Sequence, residues 1–448
     1  MTGKPAIPEK TIVMTIAGSD SGGGAGIAAD LKTFAALGVH GTCAITSVTA
    51  QNTTGVINAF DLAPTAVSAQ VEAVCTDMDV RWAKTGMLAS SGIIREVAAG
   101  VKKHGLSLVI DPVMAAEAGG DLLRKEALST LIEELLPLCK VTTPNAAEAG
   151  AIAGIPVKTR EDAKKAARKI VDLGAGAVVV TGGHLDATDL LYEADTDTFT
   201  RIPGDFVKGG THGTGCTYSA AMTAYLARGE SLETAALEAK KFVVQAIQRS
   251  IPVGGGVNPV NPIGKTLEEM ERYRVLRDVK AAVSILTESP DFAKLVAEVG
   301  CNIGMGIPGA EACKDVAAVE GRIVRHRNRA VPVGCVDFGA SRHVARIILA
   351  ALRYNPRVRA AVNVRYSEKV LTACREMGLT DSSFDREKEP ENVSSMDWGT
   401  AEAIRVYESV PDMIYDEGST GKEPMVRLLG KSATEVAKIA VELAGRLK

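Results

Sequence analysis

The chain has 448 residues, 46% of them apolar, and a formal net charge of -3. That apolar content excludes a disordered or low-complexity protein, and the near-neutral charge excludes bulk attraction to nucleic acid or anionic membrane, so an anion must be held by local groups. The length allows about two or three domains.

The N-terminus, "MTGKPAIPEKTIVMTIAG", lacks the basic start and long apolar region of a signal peptide, and no run of ~18 apolar residues follows anywhere. A cytoplasmic protein is expected. From Thr11 onward, short β-branched runs alternate with helical patterns: "TIVMTIAG", "GIAADLKTFAALG", "LSLVIDPVM", "EDAKKAARKIVDLG" and "AVVVTGG". In the fourth, Ala163, Ala166, Ala167, Ile170 and Val171 recur at helical spacing, and Gly174 ends the pattern as a C-terminal glycine does. The alternation predicts a parallel sheet covered by helices, with a ligand crevice at the carboxyl ends of the strands. "AGSDSGGGAG", "DPVM", "TPNAAE" and "TGG" each follow such a strand end.

In "IQRSIPVGGGVNPVNPIG" three consecutive glycines and three prolines break any regular element, which makes it the best linker. The charged helical stretch "KTLEEMERYRVLRDVKAAVSIL" then opens a second unit. The boundary falls near 265–272, giving domains of residues 1–264 and 272–448 with no repeat relating them. In the second, Val344, Ile347, Ile348, Ala351 and Leu352 mark an amphipathic helix, "AAVNVRY" alternates as a strand does, and "EKVLTACREMG" is a helix ending at Gly378. This unit is also α/β. Eight cysteines show no CxxC pair and no zinc-like spacing with the six histidines, so most are expected to be reduced core residues.

Three glycine-rich stretches are candidates for chemistry. "AGSDSGGGAGIAADLK" has no GK[ST] and is not a Walker loop; alone it reads equally well as a strand-to-helix turn. Gly304, Gly306 and Gly309 in "GMGIPG" formally fit G-x-G-x-x-G, but no clear strand precedes them and no helix follows, so a dinucleotide site is rejected. "KGGTHGTGC" is stronger, because its glycines meet the helical stretch "TYSAAMTAYLARG". Gly213, Gly215 and Cys216 are placed to aim backbone N–H groups at phosphate oxygens. The same cradle is expected to lower the thiol pKa and make Cys216 available as a thiolate base, a buried inert cysteine being the alternative.

Residues 11 to about 262 resemble the hydroxymethylpyrimidine and phosphomethylpyrimidine kinases of thiamine biosynthesis, ribokinase-like enzymes, through "TIAGSDSGGGAGIAADLKTF", "VTAQNTTGV", "KTGMLA", "VIDPVM", "TPNAAEA", "GGHL" and "THGTGCT". Pyridoxine kinases share several of these stretches. The resemblance implies a layered α/β domain with a mainly parallel sheet, use of ATP and Mg²⁺, and two successive phosphorylations of the pyrimidine. It implies that Gly18, Asp30, Gln51 and Met87 line the aminopyrimidine pocket, that Asp111 and Glu148 hold Mg²⁺ with Asn145 beside them, and that Cys216 is the catalytic base. A carboxamide such as Gln51 both donates and accepts, which suits a ring nitrogen and its amino group. Where many relatives have lysine before "GGH" this chain has Thr181, so Lys84 or Lys208 is the candidate replacement cation.

Residues from about 272 to 448 resemble the archaeal-type thiamine-phosphate synthase domain through "GCNIGMGIPGA", "VAAVEGRIVRHRNRAVPVGCVDFGASRHVARIILAA", "AVNVRY" and "YDEGSTGKEPM". The implied reaction joins the pyrimidine pyrophosphate to thiazole phosphate and releases pyrophosphate. Arg322 and His343 match the family, and Ser341 as N-cap puts Arg342 and His343 in the first helical turn. A protonated or donating His343 is expected to assist the leaving pyrophosphate while Arg322 grips phosphate oxygens. Arg325, Arg327 and Arg329 in "RHRNR" read better as a solvated hairpin turn; Lys422 in "STGKEP" reads as a phosphate contact or an ordinary surface loop. Small-molecule substrates and a homo-oligomer are expected, with no nucleic acid or membrane partner. The competing readings are a kinase fused to a non-catalytic thiamine-phosphate sensor, which the absence of a basic helix-turn-helix disfavours, and a pyridoxal kinase alone, which the complete second unit disfavours.

Overall fold

The runs that alternate with helical patterns fold as short strands buried on nearly every residue, as strands covered by helices on both faces must be. A computed structural model describes residues 10–114, 125–183, 186–390 and 395–447; His184 and Leu185 of "GGHL" lie outside the described residues. The chain divides into two units, Met1–Thr266 and Leu267–Lys448.

In the first unit the strands are β1 (Ile12–Ala17), β2 (His40–Ile45), β3 (Ser47–Asn52), β4 (Gly55–Asp61), β5 (Trp82–Thr85), β6 (Ser107–Ile110), β7 (Cys139–Thr142), β8 (Ala177–Val180), β9 (Asp189–Glu193) and β10 (Thr198–Ile202). Eight form one sheet in the order β10-β9-β8-β7-β6-β5-β1-β2, parallel from β8 to β2 and antiparallel at β9 and β10. The chain leaves β1 for β2 on one side and returns to β5 on the other. The topological switch therefore lies between the carboxyl ends of β1 and β5, where open α/β sheets place their ligand crevice. Strands β3 and β4 form a separate antiparallel ribbon with exposed Val48, Ile57 and Phe60. The helix expected from alanine spacing spans Arg160–Asp172, burying Ala163, Ala166, Ala167 and Ile170, and Gly174 follows it with φ +113°.

The glycine- and proline-rich stretch is not a free linker. Hydrogen bonds fasten it to the first unit: Val257 N–H to Thr53 O (2.9 Å), Val260 N–H to His212 O (3.0 Å) and Asn261 N–H to Ala246 O (2.9 Å). The helix Gly264–Glu288 then carries the chain across the division.

The second unit has β11 (Ile303–Gly306), β12 (Val316–Val319), β13 (Ile323–His326), β14 (Arg329–Pro332), β15 (Val336–Phe338), β16 (Ala360–Arg365), β17 (Asp381–Ser383), β18 (Met413–Asp416) and β19 (Met425–Gly430). Seven of them form a sheet in the order β15-β12-β11-β16-β19-β18-β17, antiparallel except for β17 and β18. Gly304 and Gly306 sit inside β11, where a Cβ on Gly304 would meet Ala317 O and Val344 Cγ1, each at 2.8 Å; these glycines serve strand packing. "RHRNR" is the β13–β14 hairpin, with Arg327 at φ +55°. The helices Arg342–Leu352 and Glu368–Glu376 fall where spacing placed them, with Gly378 at φ +78° beyond the second. All eight cysteines are reduced, but only Cys139, Cys301 and Cys374 are buried; Cys335 is exposed and the other four half-buried.

Candidate active sites

The two glycine-rich loops of the first unit meet at the carboxyl edge of its sheet. Gly213, at φ +83°, is the N-cap of the helix Thr214–Ala227, and a Cβ there would lie 1.9 Å from Gly24 O. Only glycine allows this approach. Gly215 and Cys216 occupy the first turn of that helix, where unpaired N–H groups and the helix dipole favour an anion. Beneath them lies Asp111, just past β6; a Cβ on Gly215 would be 3.9 Å from its Oδ2. Asp111 also accepts a hydrogen bond from Ser219 Oγ (3.0 Å).

Gly18, just past β1, and Met87, just past β5, face each other across the switch point: a Cβ on Gly18 would lie 3.1 Å from the Met87 sulfur. Gln51 projects from β3, one end of its carboxamide 3.4 Å from His212 Nε2 and the other 3.3 Å from Thr49 Oγ1. Asp30 departs from expectation. It is fully buried, accepting from Thr15 Oγ1 (2.6 Å) and Lys84 Nζ (3.1 and 3.2 Å), and has no surface open to a ligand. Lys84 is fully buried too, 3.7 Å from Asp111 Oδ2. Burial opposes its charge, but Asp30, then Cys216 and Asp111, outweigh it and raise the pKa. Its ammonium is committed to carboxylates, which leaves exposed Lys208 as the looser of the two candidate cations.

The Cys216 thiol contradicts the expected low pKa. Burial, opposed by Lys84 but reinforced by Asp30 and Asp111, pushes it up to about 12, although Gly26 N–H donates to the sulfur. The helix N-terminus does not overcome the packing and two carboxylates. Glu148 lies in the first turn of the helix Ala146–Ala153 and forms a reciprocal capping box with Asn145: Glu148 Oε2 accepts from Asn145 N–H (2.9 Å), and Asn145 Oδ1 from Glu148 N–H (3.0 Å). Burial and then the charge of Asp111 raise Glu148 to about 8, so the two carboxylates sense each other. Asp111 and Glu148 are hard oxygen donors, the second feeling the charge of the first, and such a pair fits a Mg²⁺ that draws its other ligands from water and phosphate.

In the second unit Arg322, between β12 and β13, donates to Val299 O and borders a cleft of about 330 Å³ whose lining includes Gly300, Arg325, Arg365 and Glu423. His343 is the second residue of its helix. Ser341 is the N-cap, as expected, but its side chain makes no capping bond. Of the two forms expected of His343, protonated or donating, its surroundings favour the second. Although the residue is exposed to solvent, partial desolvation of the ring and then Arg427, Arg386 and Arg322 push its pKa down to about 4. At neutral pH it is an uncharged imidazole with one N–H to donate.

Sequence reasoning missed Arg386, Asp416 and Arg427. Arg427 is fully buried in β19, its Nη2 2.6 Å from Asp416 Oδ2, while Arg386 grips the same carboxylate through both Nε and Nη2. Arg427 Nε finds no hydrogen-bond partner among the described residues. A lone arginine inside the apolar run "MVRLLG" was the available signal. Lys422 pairs with Glu389 (2.8 Å) in an exposed turn.

Residues 20–261 match the family model for phosphomethylpyrimidine kinase, and residues 278–442 that for thiamine-phosphate synthase ThiN. A bifunctional thiamine biosynthesis protein, ThiDN, of Methanocaldococcus jannaschii is 34% identical over 432 residues, 95% of this chain and 97% of that protein. A hydroxymethylpyrimidine/phosphomethylpyrimidine kinase of Rhizobium meliloti is 48% identical over 257 residues, 56% of this chain and 96% of its own. A pyridoxal kinase from Bacillus subtilis solved with ADP superposes with a TM-score of 0.54 at 38% identity, covering 58% of this chain and 100% of that one. A pyridoxal kinase from Staphylococcus aureus solved with AMP-PCP and pyridoxal gives 0.53 at 35% identity, covering 58% and 95%. No described helix is long and apolar enough to cross a membrane. With both family models matched in order and a relative aligned nearly end to end, the chain belongs to the bifunctional thiamine-biosynthesis family, a hydroxymethylpyrimidine/phosphomethylpyrimidine kinase followed by a ThiN-type thiamine-phosphate synthase.

Proposed function

We propose that the first unit binds the aminopyrimidine between Gly18, Gln51 and Met87, with Asp30 and Lys84 as a buried ion pair behind them. The observation that carries this is the meeting of the two glycine loops at the start of Thr214–Ala227, which puts Cys216 beside an anion cradle at the switch point. Gly213 and Gly215 offer backbone N–H groups to the phosphoryl group passed from ATP to the pyrimidine alcohol. Positioning and charge stabilisation account for most catalysis of phosphoryl transfer, so one cradle serves both phosphorylation steps. Asp111 and Glu148, with Asn145 beside them, would hold Mg²⁺, whose charge neutralises phosphate oxygens. Cys216 is placed to take the proton of the alcohol once its own thiol proton has been lost.

In the second unit Arg322 binds phosphate oxygens and neutral His343 donates its N–H to the departing pyrophosphate. Arg386 and Arg427 keep the surroundings cationic while Asp416 holds them in place. Lys422 is the outermost phosphate contact, exchanging Glu389 for substrate. Kinase substrates, thiazole phosphate and ATP are thus the small-molecule partners of a homo-oligomeric enzyme whose domains are residues 1–264 and 272–448.

One assay tests the whole reading. Purified protein given hydroxymethylpyrimidine, MgATP and thiazole phosphate is expected to make thiamine phosphate. Accumulation of the pyrimidine pyrophosphate alone would instead make the second unit a binding module.

A further inference from the structure

His212, near the start of "THGTGC", has no role in the chemistry described so far, yet its side chain is tightly held. It is 6% exposed, and its Nε2 lies 2.9 Å from Asp20 Oδ2. The ring cannot swing away. Gly24 packs so closely that a Cβ there would lie 2.5 Å from His212 Cδ2 and 2.8 Å from Pro259 Cβ, and the His212 backbone is bonded to Asn258 O and Val260 N–H. Asp20 is equally fixed, accepting from the N–H groups of Gly22 (2.8 Å), Gly24 (2.9 Å) and Ala25 (2.8 Å).

Proton counting decides what this pair does to Gln51. Burial would raise the Asp20 carboxyl, but the hydrogen bond from His212 and three backbone N–H groups outweigh it and hold it below its ordinary value. Asp20 is therefore an anion, and His212 Nε2 must carry the proton that it accepts. A protonated Nε2 has no lone pair for a second donor. At the other end of the Gln51 carboxamide, Thr49 Oγ1 has one proton, and Ser19 O at 2.8 Å takes it, so this hydroxyl meets the carboxamide at 3.3 Å as an acceptor. The structure has Gln51 Nε2 at His212 and Oε1 at Thr49, an order that proton counting reverses at both ends, since amide O and N are told apart only by their hydrogen bonds: oxygen belongs toward His212 and nitrogen toward Thr49.

We propose that His212, locked by Asp20, is a specificity-determining positioning residue that fixes which end of the Gln51 carboxamide is acceptor and which is donor. The inference rests on the reading of Gln51 as a pocket residue. One end of the amide edge then accepts from an exocyclic amino group and the other donates to an adjacent ring nitrogen. Only one of the two ways of laying the aminopyrimidine against this edge matches that order. A reversed amide would favour the ring turned over, with the alcohol moved to the opposite side. The backbone of Gln51 is held for this purpose at a bulge in β3, its N–H donating to Ser21 Oγ (2.8 Å) and its carbonyl accepting from the same hydroxyl (2.7 Å).

The test compares kcat/KM for hydroxymethylpyrimidine with that for an analogue in which CH replaces the ring nitrogen beside the amino-bearing carbon. Wild-type protein is expected to prefer the pyrimidine by about 10- to 100-fold, the usual worth of a buried donor left unpaired. His212→Leu frees the amide and is expected to bring the preference within about threefold and lower kcat for the pyrimidine. His212→Gln can donate to both Asp20 and the carboxamide and is expected to keep the preference. A folded His212→Leu protein with the wild-type preference overturns the proposal, provided Gln51→Leu abolishes that preference; if Gln51→Leu also leaves it intact, the reading of the pocket itself falls. Should His212→Leu fail to fold, nitrogen NMR of the wild-type ring decides: a protonated Nε2 is expected, and an unprotonated Nε2 overturns the assignment.

Discussion

Cys216 shows how a residue placed correctly by its motif can carry the wrong charge. The sequence sets a thiol at a helix start and suggests a thiolate, but Asp30 and Asp111, distant in sequence, lie close enough in the fold that burial and their charges push it to about 12. Below its pKa the group holds its proton, so a thiolate-dependent step gains about tenfold per pH unit. Kinase kcat is accordingly expected to climb through the alkaline range, and Cys216→Ala to flatten that climb and cost on the order of 10²- to 10⁴-fold. A mutant with wild-type kcat removes Cys216 from the mechanism. His343 has the opposite history: the imidazole meets three guanidinium groups brought in by other elements and is held at about 4. An anion offsets those charges, so added pyrophosphate is expected to raise the His343 pKa toward the ordinary value of ~6.5, read by NMR titration. No movement on saturation would put pyrophosphate elsewhere. Arg322→Ala is expected to slow condensation by about 10- to 200-fold, the loss of a charge-assisted phosphate contact, with Arg322→Lys restoring part and kinase activity unchanged in both.

Elements whose signal is local were legible in the sequence. The alanine spacing of Arg160–Asp172 and the apolar stripe of Arg342–Leu352 each report one buried helix face, and "AAVNVRY" is a strand as its pattern suggests, although β16 is buried on both faces from Ala360 to Val364. What stayed hidden depends on pairing between distant segments. The mainly antiparallel order of the second sheet is one case; the ion cluster at its far strands is another. In the β18–β19 pair Asp416 lies opposite Met425 and Ile414 opposite Arg427, and nothing in "MIYD" or "MVRLLG" alone announces that their charges meet. The kinase candidates could be named because their motifs lie at successive strand ends, whereas the full burial of Asp30 stayed hidden because a motif does not say how deep a residue lies. The buried cluster yields a stability prediction. Removing its carboxylate leaves Arg427 fully buried and Arg386 nearly so without a counter-charge, and breaking such a pair costs roughly 3–5 kcal/mol. Asp416→Ala is therefore expected to lower the urea midpoint of the second unit sharply, while the double variant with Arg427→Met recovers part of the loss. An unchanged midpoint for the single variant would mean that solvent reaches the arginines.

At the scale of the whole molecule, the question is whether each unit depends on the other for its core. The apolar clusters answer separately: one set is built on β1, β5, β6 and β8 with their helices, the other on β11, β12, β16 and β19. Between them runs the helix Gly264–Glu288. Its first turns are exposed, with Leu267, Met270 and Tyr273 open to solvent, and its buried face begins only at Val275, continuing through Val279, Ala282 and Leu286. That 4-3-4 spacing anchors the helix in the second core and leaves residues 265–271 with little to hold. A cut there removes about two turns of exposed helix and no core side chain, while the glycine- and proline-rich stretch stays bonded to Thr53, His212 and Ala246 in the first unit. Residues 1–264 and 272–448 are therefore expected to fold as separate proteins, each with its own activity, because a domain with its own core survives separation. Calorimetry of the two pieces beside the intact chain provides the check. Two cooperative transitions close to those of the full chain are expected; a fragment that stays unfolded would show that its core needs its neighbour.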